Sequence, residues 1–253
     1  MSSIKKQKVT KLRLDQLLVE RGLVESRSRA QSLIMAGNVY SETRRLEKSG
    51  AQVKADIAIE IKGQDHPWVS RGGLKLEKGL SHFDVTANGK TCLDVGASTG
   101  GFTDVLLSAG ARKVYAVDVG HGQLAWKLRG NKRVVVMEKT NARHLTTTDI
   151  SEAIDLVVCD ASFIGLETVL PAALDFVIVG GYVIALIKPQ FEVGKGRVGK
   201  GGVVREPELH AEVCKRITDW FNARPDWAVL GLTESPIKGP EGNIEFLILA
   251  QKS

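Results

Sequence analysis

The stretch from Thr91 to Thr103, TCLDVGASTGGFT, decides the fold of this chain. An apolar run typical of a buried strand carries the acid Asp94 near its end, and a glycine-rich turn follows from Gly96 to Gly101. Residues 102–109 then have the composition of a helix. This order of strand, turn and helix opens a nucleotide-type α/β site. The glycines let backbone N–H groups approach a ligand, and the helix N-terminus favours negative charge.

The rest of the chain continues as alternating strands and helices. We predict strands over residues 113–120, 134–137, 155–162, 182–192, 228–233 and 244–250, and helices over 71–83 and 207–223. Such alternation predicts a parallel sheet covered on both faces, with its ligands beyond the carboxyl ends of the strands. Four charged residues lie at such ends: Asp94, Asp118, Asp160 and Lys188. Asp118 follows Asp94 by 24 residues, close to the spacing of roughly 20 residues at which an acid binds ribose hydroxyls.

The positive charge of the chain is concentrated in its first quarter. The formal net charge is +6, and residues 1–65 hold 13 Lys and Arg against 8 Asp and Glu. That distribution indicates a polyanionic partner for the first quarter, although a solvated basic tail remains the alternative for the first ten residues.

The cysteines and the apolar runs indicate the cellular compartment of the protein. Cys92, Cys159 and Cys214 have no metal-ligand spacing, so we predict reduced thiols and no metal site. The basic start is not followed by the apolar region of a signal peptide, and the most apolar stretch, 176–187, is too short to span a bilayer. We therefore expect a cytoplasmic protein with no membrane partner.

Residues 12–62 form a compact basic module. Leucines at helical spacing predict a first helix that Gly22 ends, and Ser26 caps a second helix over 27–36. Arg27 and Arg29 lie in the first turn of the second helix, where they oppose its dipole. Contacts between the two side chains and phosphates would offset this unfavourable interaction with the helix dipole.

The run RLDQLLVERGLVESRSRAQSLIMAGNV, residues 13–39, resembles the RNA-binding domain first seen in ribosomal protein S-four. The resemblance implies a basic face against structured RNA. The family commonly has a V-x-V-N-G turn, where this chain has Val39-Tyr40-Ser41-Glu42. A small basic fold with another role is the alternative.

The glycine-rich segments also match three motifs of other enzyme classes. GASTG fits the nucleophile elbow of a hydrolase, but the last histidine, His210, lies early in a predicted helix. Ser98 replaces the middle glycine of a dinucleotide-binding fingerprint, and Gly201 replaces the Ser or Thr of a phosphate loop. We interpret GKGRVGKGG, residues 194–202, as a basic loop at the mouth of the site, with a plain surface loop as the alternative.

The motif D-V-G-A-S-T-G-G-F-T resembles the first motif of S-adenosylmethionine-dependent methyltransferases. It implies a Rossmann-like class I methyltransferase sheet with helices on both faces, preceded by the small α+β RNA-binding domain. It also implies S-adenosylmethionine as cofactor, with Asp118 on its ribose hydroxyls. The implied cofactor-binding residues are Asp94, Gly96, Ala97, Ser98, Gly100, Gly101, Phe102, Asp118, Val119, Asn141, Ala142 and Asp160.

Lys75, Asp160, Lys188 and Glu245 together resemble the catalytic tetrad of FtsJ/RrmJ-type ribose 2′-O-methyltransferases. A ribose hydroxyl is a poor nucleophile. A neutral lysine accepts its proton, and a charged lysine stabilises the developing alkoxide. We assign Lys188 to the 2′-oxygen, Asp160 to the methyl group and the lysine, and Lys75 and Glu245 to orienting roles. A structural ion pair is the alternative for Lys75 and Glu245.

Taken together, VSRGGLKL, DVGASTGGFT, DASFI, KPQFE and SPIKGPEGNIEFL resemble the TlyA family, sometimes labelled hemolysin A, from about Leu12 to the C-terminus. The resemblance implies 2′-O-methylation of cytidines in ribosomal RNA or ribosomal subunits. A noncatalytic RNA-binding protein and a membrane-active hemolysin are the alternatives. The oligomeric state is open, and a monomer is compatible with the sequence.

The expected organisation follows from these segments. It comprises a basic flexible N-terminus (1–11), an RNA-binding domain (12–62), a linker (63–70) and a methyltransferase domain (71–253). We assign RNA contacts to Arg13, Arg21, Arg27, Arg29, Arg71, Lys195, Arg197 and Lys200.

Overall fold

The chain divides into two units on either side of the bond between Pro67 and Trp68. The computed structural model describes residues 11–24, 27–35, 37–62, 66–194 and 196–253. Within these residues each unit has apolar clusters of its own, and no cluster draws residues from both. Each unit therefore has its own apolar core.

The first unit is a small α+β fold. Its strands and helices are β1 (Lys11–Arg13), α1 (Leu14–Glu20), α2 (Arg27–Met35), β2 (Val39–Ser41), β3 (Arg44–Arg45), β4 (Gln52–Lys54) and β5 (Glu60–Ile61). Strand β1 pairs with β4, and β2 lies between β3 and β5. The leucines at helical spacing in α1 are buried, and Leu14 and Leu18 belong to the same apolar cluster as Ile34 and Val39.

Two details of the first unit bear on the predictions. The predicted cap Ser26 and the last predicted residue of the second helix, Ala36, lie outside the described residues. Glu42 has φ 57°, a conformation that favours glycine or asparagine. This is the turn at which the related domains carry Asn-Gly, so the departure in sequence falls on a strained backbone position.

The second unit is a seven-stranded sheet with helices on both faces. Its strands are β6 (Thr91–Val95), β7 (Lys113–Val117), β8 (Val134–Met137), β9 (Ile154–Cys159), β10 (Val177–Ile187), β11 (Trp227–Glu234) and β12 (Phe246–Lys252). Its helices are α3 (Gly72–His82), α4 (Gly101–Ser108), α5 (Trp126–Arg129), α6 (Leu166–Val169), α7 (Pro171–Leu174), α8 (Pro189–Glu192) and α9 (Pro207–Asn222). The predicted Rossmann-like class is confirmed.

The strand order is β11-β12-β10-β9-β6-β7-β8. Strand β6 lies parallel to β9 on one side and to β7 on the other, and all five of its residues are buried. Two apolar clusters cover the two faces of the sheet, which explains why the buried strands are apolar along their whole length. The sheet is mostly parallel. The exception is β12, which runs antiparallel to both of its neighbours.

The end of β10 differs from its predicted extent. We predicted a strand over 182–192, whereas β10 ends at Ile187 and residues 189–192 form the helical turn α8. Pro189 explains the difference, because proline cannot donate to a sheet ladder but suits the first position of a helix. Lys188 therefore stands at the junction of strand and helix, at the carboxyl edge of the sheet.

Candidate active site

The turn after β6 brings the backbone close to the neighbouring strand end. Gly96 has φ 83°, and a Cβ atom there would lie 3.0 Å from the Cα atom of Ala161. Ser98 has φ 48°, which is uncommon for a residue with a side chain. Glycine suits the position of Gly96, whereas Ser98 is held in a conformation that its side chain disfavours, as is common at functional sites.

Asp118 closes the turn from the next strand. Its carboxylate accepts the N–H of Ser98 at 2.8 Å and the N–H of Gly120 at 2.7 Å. The Ser98 hydroxyl lies 3.3 Å from Oε1 of Gln123. Each oxygen of the Asp118 carboxylate accepts one of these backbone hydrogen bonds. A carboxylate has about four acceptor positions, so it can accept further donors.

A first cavity of about 370 Å³ lies beyond the carboxyl ends of β6, β7 and β9. Its volume is within the usual range for small-molecule sites. Its walls combine the Asp118 carboxylate with apolar side chains, among them Val119, Ile164 and Val169. Seven of the predicted cofactor residues line it: Gly96, Ser98, Asp118, Val119, Asn141, Ala142 and Asp160.

A second cavity of about 260 Å³ adjoins the first. The two share four residues: Gly96, Ser98, Asp160 and Ser162. The predicted residues Ala97, Gly101 and Phe102 line only the second cavity, together with Lys75 and Lys188. The shared wall therefore separates a largely apolar chamber from one that contains two lysines.

The four tetrad residues come together at this second cavity. Lys75 Nζ lies 2.7 Å from Glu245 Oε2 and 3.4 Å from Asp160 Oδ2. Lys188 Nζ lies 2.5 Å from Asp160 Oδ1. Three of the four are buried, and Asp160 is the most exposed, with 20% of its side chain accessible. Glu245 is not among the residues that line either cavity, and its carboxylate accepts hydrogen bonds from Lys75 and Gln190.

The Lys188 amine donates two hydrogen bonds, to the Ser162 hydroxyl at 2.9 Å and to the Asp160 carbonyl at 3.2 Å. Its contact with Asp160 Oδ1 is an ion pair. Ser162 is the exposed member of this set, and it lines both cavities. An incoming hydroxyl therefore reaches Lys188 on the side that Ser162 occupies.

Asp94 and Gly100 line neither cavity. Asp94 is fully buried beneath the turn, where Oδ2 accepts the Thr103 hydroxyl at 2.6 Å and Oδ1 has no hydrogen-bond partner. Burial raises the pKa of its carboxyl to about 7, with a smaller contribution from Asp160, and the Thr103 hydrogen bond opposes the rise. Gly100 caps α4 with φ 94° and packs against leucines.

Two residues of the site were missed by the sequence reasoning. Ser162 and Phe163 both lie in the segment DASFI, and the sequence indicated no separate role for either. The Phe163 side chain is 89% exposed although it lies beside a cavity, and its φ is 65°. Its ring is 5.0 Å from that of Phe191, which in turn lies 6.0 Å from Lys188 Nζ. The sequence signal available was an aromatic residue directly after a strand-end acid.

The predicted RNA contacts have diverse surroundings. Arg13 and Arg27 both pair with the buried Asp15. Arg21 instead donates to the backbone carbonyls of Ala55 and Ile57. Arg29 is half-buried on α2.

The remaining predicted RNA contacts lie in the second unit, from the residue that precedes α3 onward. Arg71 lines the second cavity and donates to the carbonyl of Lys238. Arg197 forms a double ion pair with Glu212 on α9. Lys200 is exposed in a short helical turn, and Lys195 lies outside the described residues.

The described residues contain neither a membrane-spanning helix nor a metal-binding cluster. In that part of the chain, no helix is long and apolar enough to cross a membrane. The same residues contain no group of three His, Cys, Asp or Glu side chains arranged to hold a metal ion.

Comparison with known proteins gives a consistent picture. A family model described as FtsJ-like methyltransferase matches residues 68–252, and one described as S4 domain matches residues 12–56. The chain is 50% identical to a candidate rRNA methyltransferase, YqxC, of Bacillus subtilis, over 94% of this chain and 85% of that protein. It is 46% identical to the 16S/23S rRNA (cytidine-2′-O)-methyltransferase TlyA of Mycobacterium tuberculosis, over 93% and 88%. A solved structure of a candidate hemolysin from Streptococcus thermophilus has a TM-score of 0.76 at 42% identity, covering 97% of this chain and 90% of the other.

Proposed function

The chain belongs to the FtsJ-like methyltransferase family, and on that premise we propose that it transfers a methyl group from S-adenosylmethionine to a ribose 2′-hydroxyl of ribosomal RNA, at a cytidine. The observation that carries the proposal is the convergence of Lys75, Asp160, Lys188 and Glu245 at one cavity beside a nucleoside-sized chamber. These residues come from α3, from the ends of β9 and β10 and from the segment before β12.

The two cavities fit S-adenosylmethionine in their chemistry. In the first, apolar walls suit an adenine ring, and the Asp118 carboxylate suits a ribose diol. In the second, the glycine turn offers backbone N–H groups to the amino-acid part, and Asp160 at the shared wall suits a sulfonium cation. Bound there, the cofactor supplies an electrophilic methyl group.

The residues of the second cavity prepare the acceptor. Lys188 meets the 2′-oxygen from the side that Ser162 occupies in the free enzyme, and Asp160 orients the amine. As a neutral amine Lys188 takes the proton of the 2′-hydroxyl, and as an ammonium ion it stabilises the negative charge on the oxygen. Glu245 holds Lys75, and Lys75 orients the Asp160 carboxylate from the other side. Fixing these groups in advance lowers the entropic part of the barrier.

Phe163 offers an aromatic face for the target base. Its side chain is 89% exposed and lines the first cavity, so its ring is accessible to a bound nucleotide. Unstacked bases commonly pack on aromatic side chains in RNA-protein complexes. With the base on this ring, the sugar of the same nucleotide comes near Lys188, since Phe163 directly follows Ser162.

The first unit recruits the RNA. It carries most of the net positive charge, and its S4 domain is a module known for structured RNA. Arg13 and Arg27 are the side chains that we assign to phosphates, whereas Arg21 is committed to backbone carbonyls. Because ribosomal RNA is the substrate, we expect the enzyme to act in the cytoplasm.

The test is methyl incorporation from labelled S-adenosylmethionine into unmodified ribosomal RNA, followed by mapping of 2′-O-methylated nucleotides. The native chain should label RNA, and Asp160→Asn should lower the rate by at least about 100-fold. Lys188→Arg separates the two roles of the lysine, because arginine keeps the charge but does not accept a proton. Absence of methylation together with RNA binding would favour the noncatalytic alternative, and lysis of erythrocytes without methylation would favour the hemolysin.

A further inference from the structure

Asp15 is a buried carboxylate at the start of α1, and its side chain has no solvent exposure. Arg13 donates to both carboxylate oxygens, at 3.0 Å and 2.9 Å. Arg27 and Gln31, both on α2, donate to Oδ2 at 3.1 Å each. These donors hold the pKa of the Asp15 carboxyl well below its usual range, with the Arg13 hydrogen bond as the largest cause.

The two arginines keep a large part of their side chains in water. Exposure is 39% for Arg13 and 53% for Arg27, although each has a guanidinium nitrogen on Asp15 Oδ2. A guanidinium has five N–H donors, and the hydrogen bonds to Asp15 use two from Arg13 and one from Arg27. One carboxylate therefore fixes two cations side by side, with donors left over and a net charge of about +1.

We propose that Asp15 is a positioning residue for RNA binding: it fixes the Arg13 and Arg27 guanidinium groups as a two-arginine clamp for a backbone phosphate. The inference rests on the proposed function, because it assumes that RNA is the polyanion that the first unit binds. Without Asp15 the two cations would repel each other and rotate apart. Held on one acceptor, they present a fixed pair of donors, which costs less side-chain entropy on binding than two mobile arginines.

The direction in which Asp15→Asn changes RNA affinity distinguishes a positioning role of Asp15 from a purely electrostatic one. Asp15→Asn removes a negative charge from an RNA-binding surface, and Coulomb's law alone would then strengthen RNA binding. If Asp15 positions the clamp, the same change weakens binding. Asp56→Asn is the matched control, because Asp56 is an exposed carboxylate of the same unit and the substitution is chemically identical.

The experiment measures the affinity of the full chain for an unmodified ribosomal RNA transcript between about 50 and 200 mM salt. We expect Asp15→Asn to weaken binding by about tenfold and to lower the slope of log affinity against log salt by about one, the effect of one lost phosphate contact. Asp56→Asn should leave the slope unchanged and affinity equal or higher. Equal or tighter binding by Asp15→Asn, at unchanged cofactor affinity, overturns the proposal.

Arg13→Lys keeps the proposal testable if Asp15→Asn does not fold. Lysine preserves the charge but loses the fork that contacts both oxygens of Asp15. The clamp predicts weaker binding by Arg13→Lys, and binding by charge alone predicts no change, which would overturn the clamp. Failure of the proposed function has another signature: the native chain would bind RNA with the same dependence on Asp15 and transfer no methyl group.

Discussion

At the residue scale, the sharpest consequence concerns Ser162. Its hydroxyl accepts one of the two hydrogen bonds that Lys188 donates, and it lines both cavities. We predict that Ser162→Ala lowers kcat by about tenfold or more, because a hydrogen bond to a charged group contributes about 1.5–3 kcal/mol. Cofactor affinity should change little. Single-turnover methylation of ribosomal RNA measures the rate.

Ser162→Thr is the control, since threonine retains the hydroxyl. It should keep most of the activity if the hydroxyl is what matters. An unchanged kcat in Ser162→Ala would show that Lys188 is held by Asp160 alone.

The sequence predicted the charged residues of the site better than its neutral ones. Asp160 and Lys188 stand at the ends of strands, and their positions on a parallel sheet predicted that they lie at one edge. Lys75 lies within α3, and only its resemblance to a catalytic tetrad indicated a place in the site. Ser162 and Phe163 depend on the path of a loop, including a left-handed φ at Phe163, which no local pattern specifies. Their importance follows from exposure and contacts that only coordinates reveal.

At the element scale, the segment between β7 and α5 is fixed by one side chain. Glu138 follows β8, and its carboxylate accepts the backbone N–H groups of Gly122, Gln123 and Leu124 and pairs with Arg129. Burial would raise the pKa of Glu138, but these hydrogen bonds outweigh burial and lower it to about 2. The segment contributes Val119 and Gln123 to the wall of the first cavity.

We predict that Glu138→Gln weakens cofactor binding by about tenfold while kcat at saturating cofactor changes by less than about threefold, because the segment lines the cofactor chamber and not the tetrad. Calorimetric titration with S-adenosylmethionine gives the affinity. Glu152→Gln is the matched control. Glu152 also has a pKa lowered to about 2, mainly by Lys113, but it contacts the amino-terminal end of β7. Equal weakening in both variants would indicate a general loss of stability.

The order of elements was predictable, but their pairing and ends were less so. Alternating apolar runs and helices specified the class, and β6, the strand of the opening stretch, does lie inside the sheet. The antiparallel insertion of β12 between β11 and β10 was not expected, because two short apolar runs near a C-terminus do not reveal where they pair. The pairing of β12 with β10 and β11 matters for the site, because Glu245 directly precedes β12.

At the scale of the whole molecule, buried Asp94 should make stability depend on pH. Its folded-state pKa of about 7 is above its ordinary value of 3.8. Between these values the folded chain keeps a proton that the unfolded chain has lost, so stability decreases as pH rises and the cost is complete above about pH 7. Asp94→Asn cannot ionise and still accepts the Thr103 hydroxyl.

We therefore predict that Asp94→Asn raises the free energy of unfolding at about pH 8 by about 2–4 kcal/mol and changes it little near pH 4. Urea denaturation without cofactor, at both pH values, measures the difference. Destabilisation at both would mean that Asp94 makes a favourable interaction as a carboxylate.

The two units differ in what they contribute, and separating them tests this division. The apolar clusters of the second unit include no residue before Trp68, and its seven strands lie within residues 91–252. A chain of residues 66–253 should therefore fold and bind S-adenosylmethionine within about threefold of the native affinity. It lacks the residues that carry +5 of the +6 net charge, so its RNA affinity at about 200 mM salt should decrease by at least about tenfold, with a shallower salt dependence. Filter binding measures the RNA affinity, and circular dichroism measures whether the truncated chain folds.

If RNA affinity stays native, then the second unit holds the main RNA surface. If the truncated chain loses the cofactor together with its helical signal, then the sheet needs the first unit to fold, and the separation of the apolar clusters does not imply independent stability.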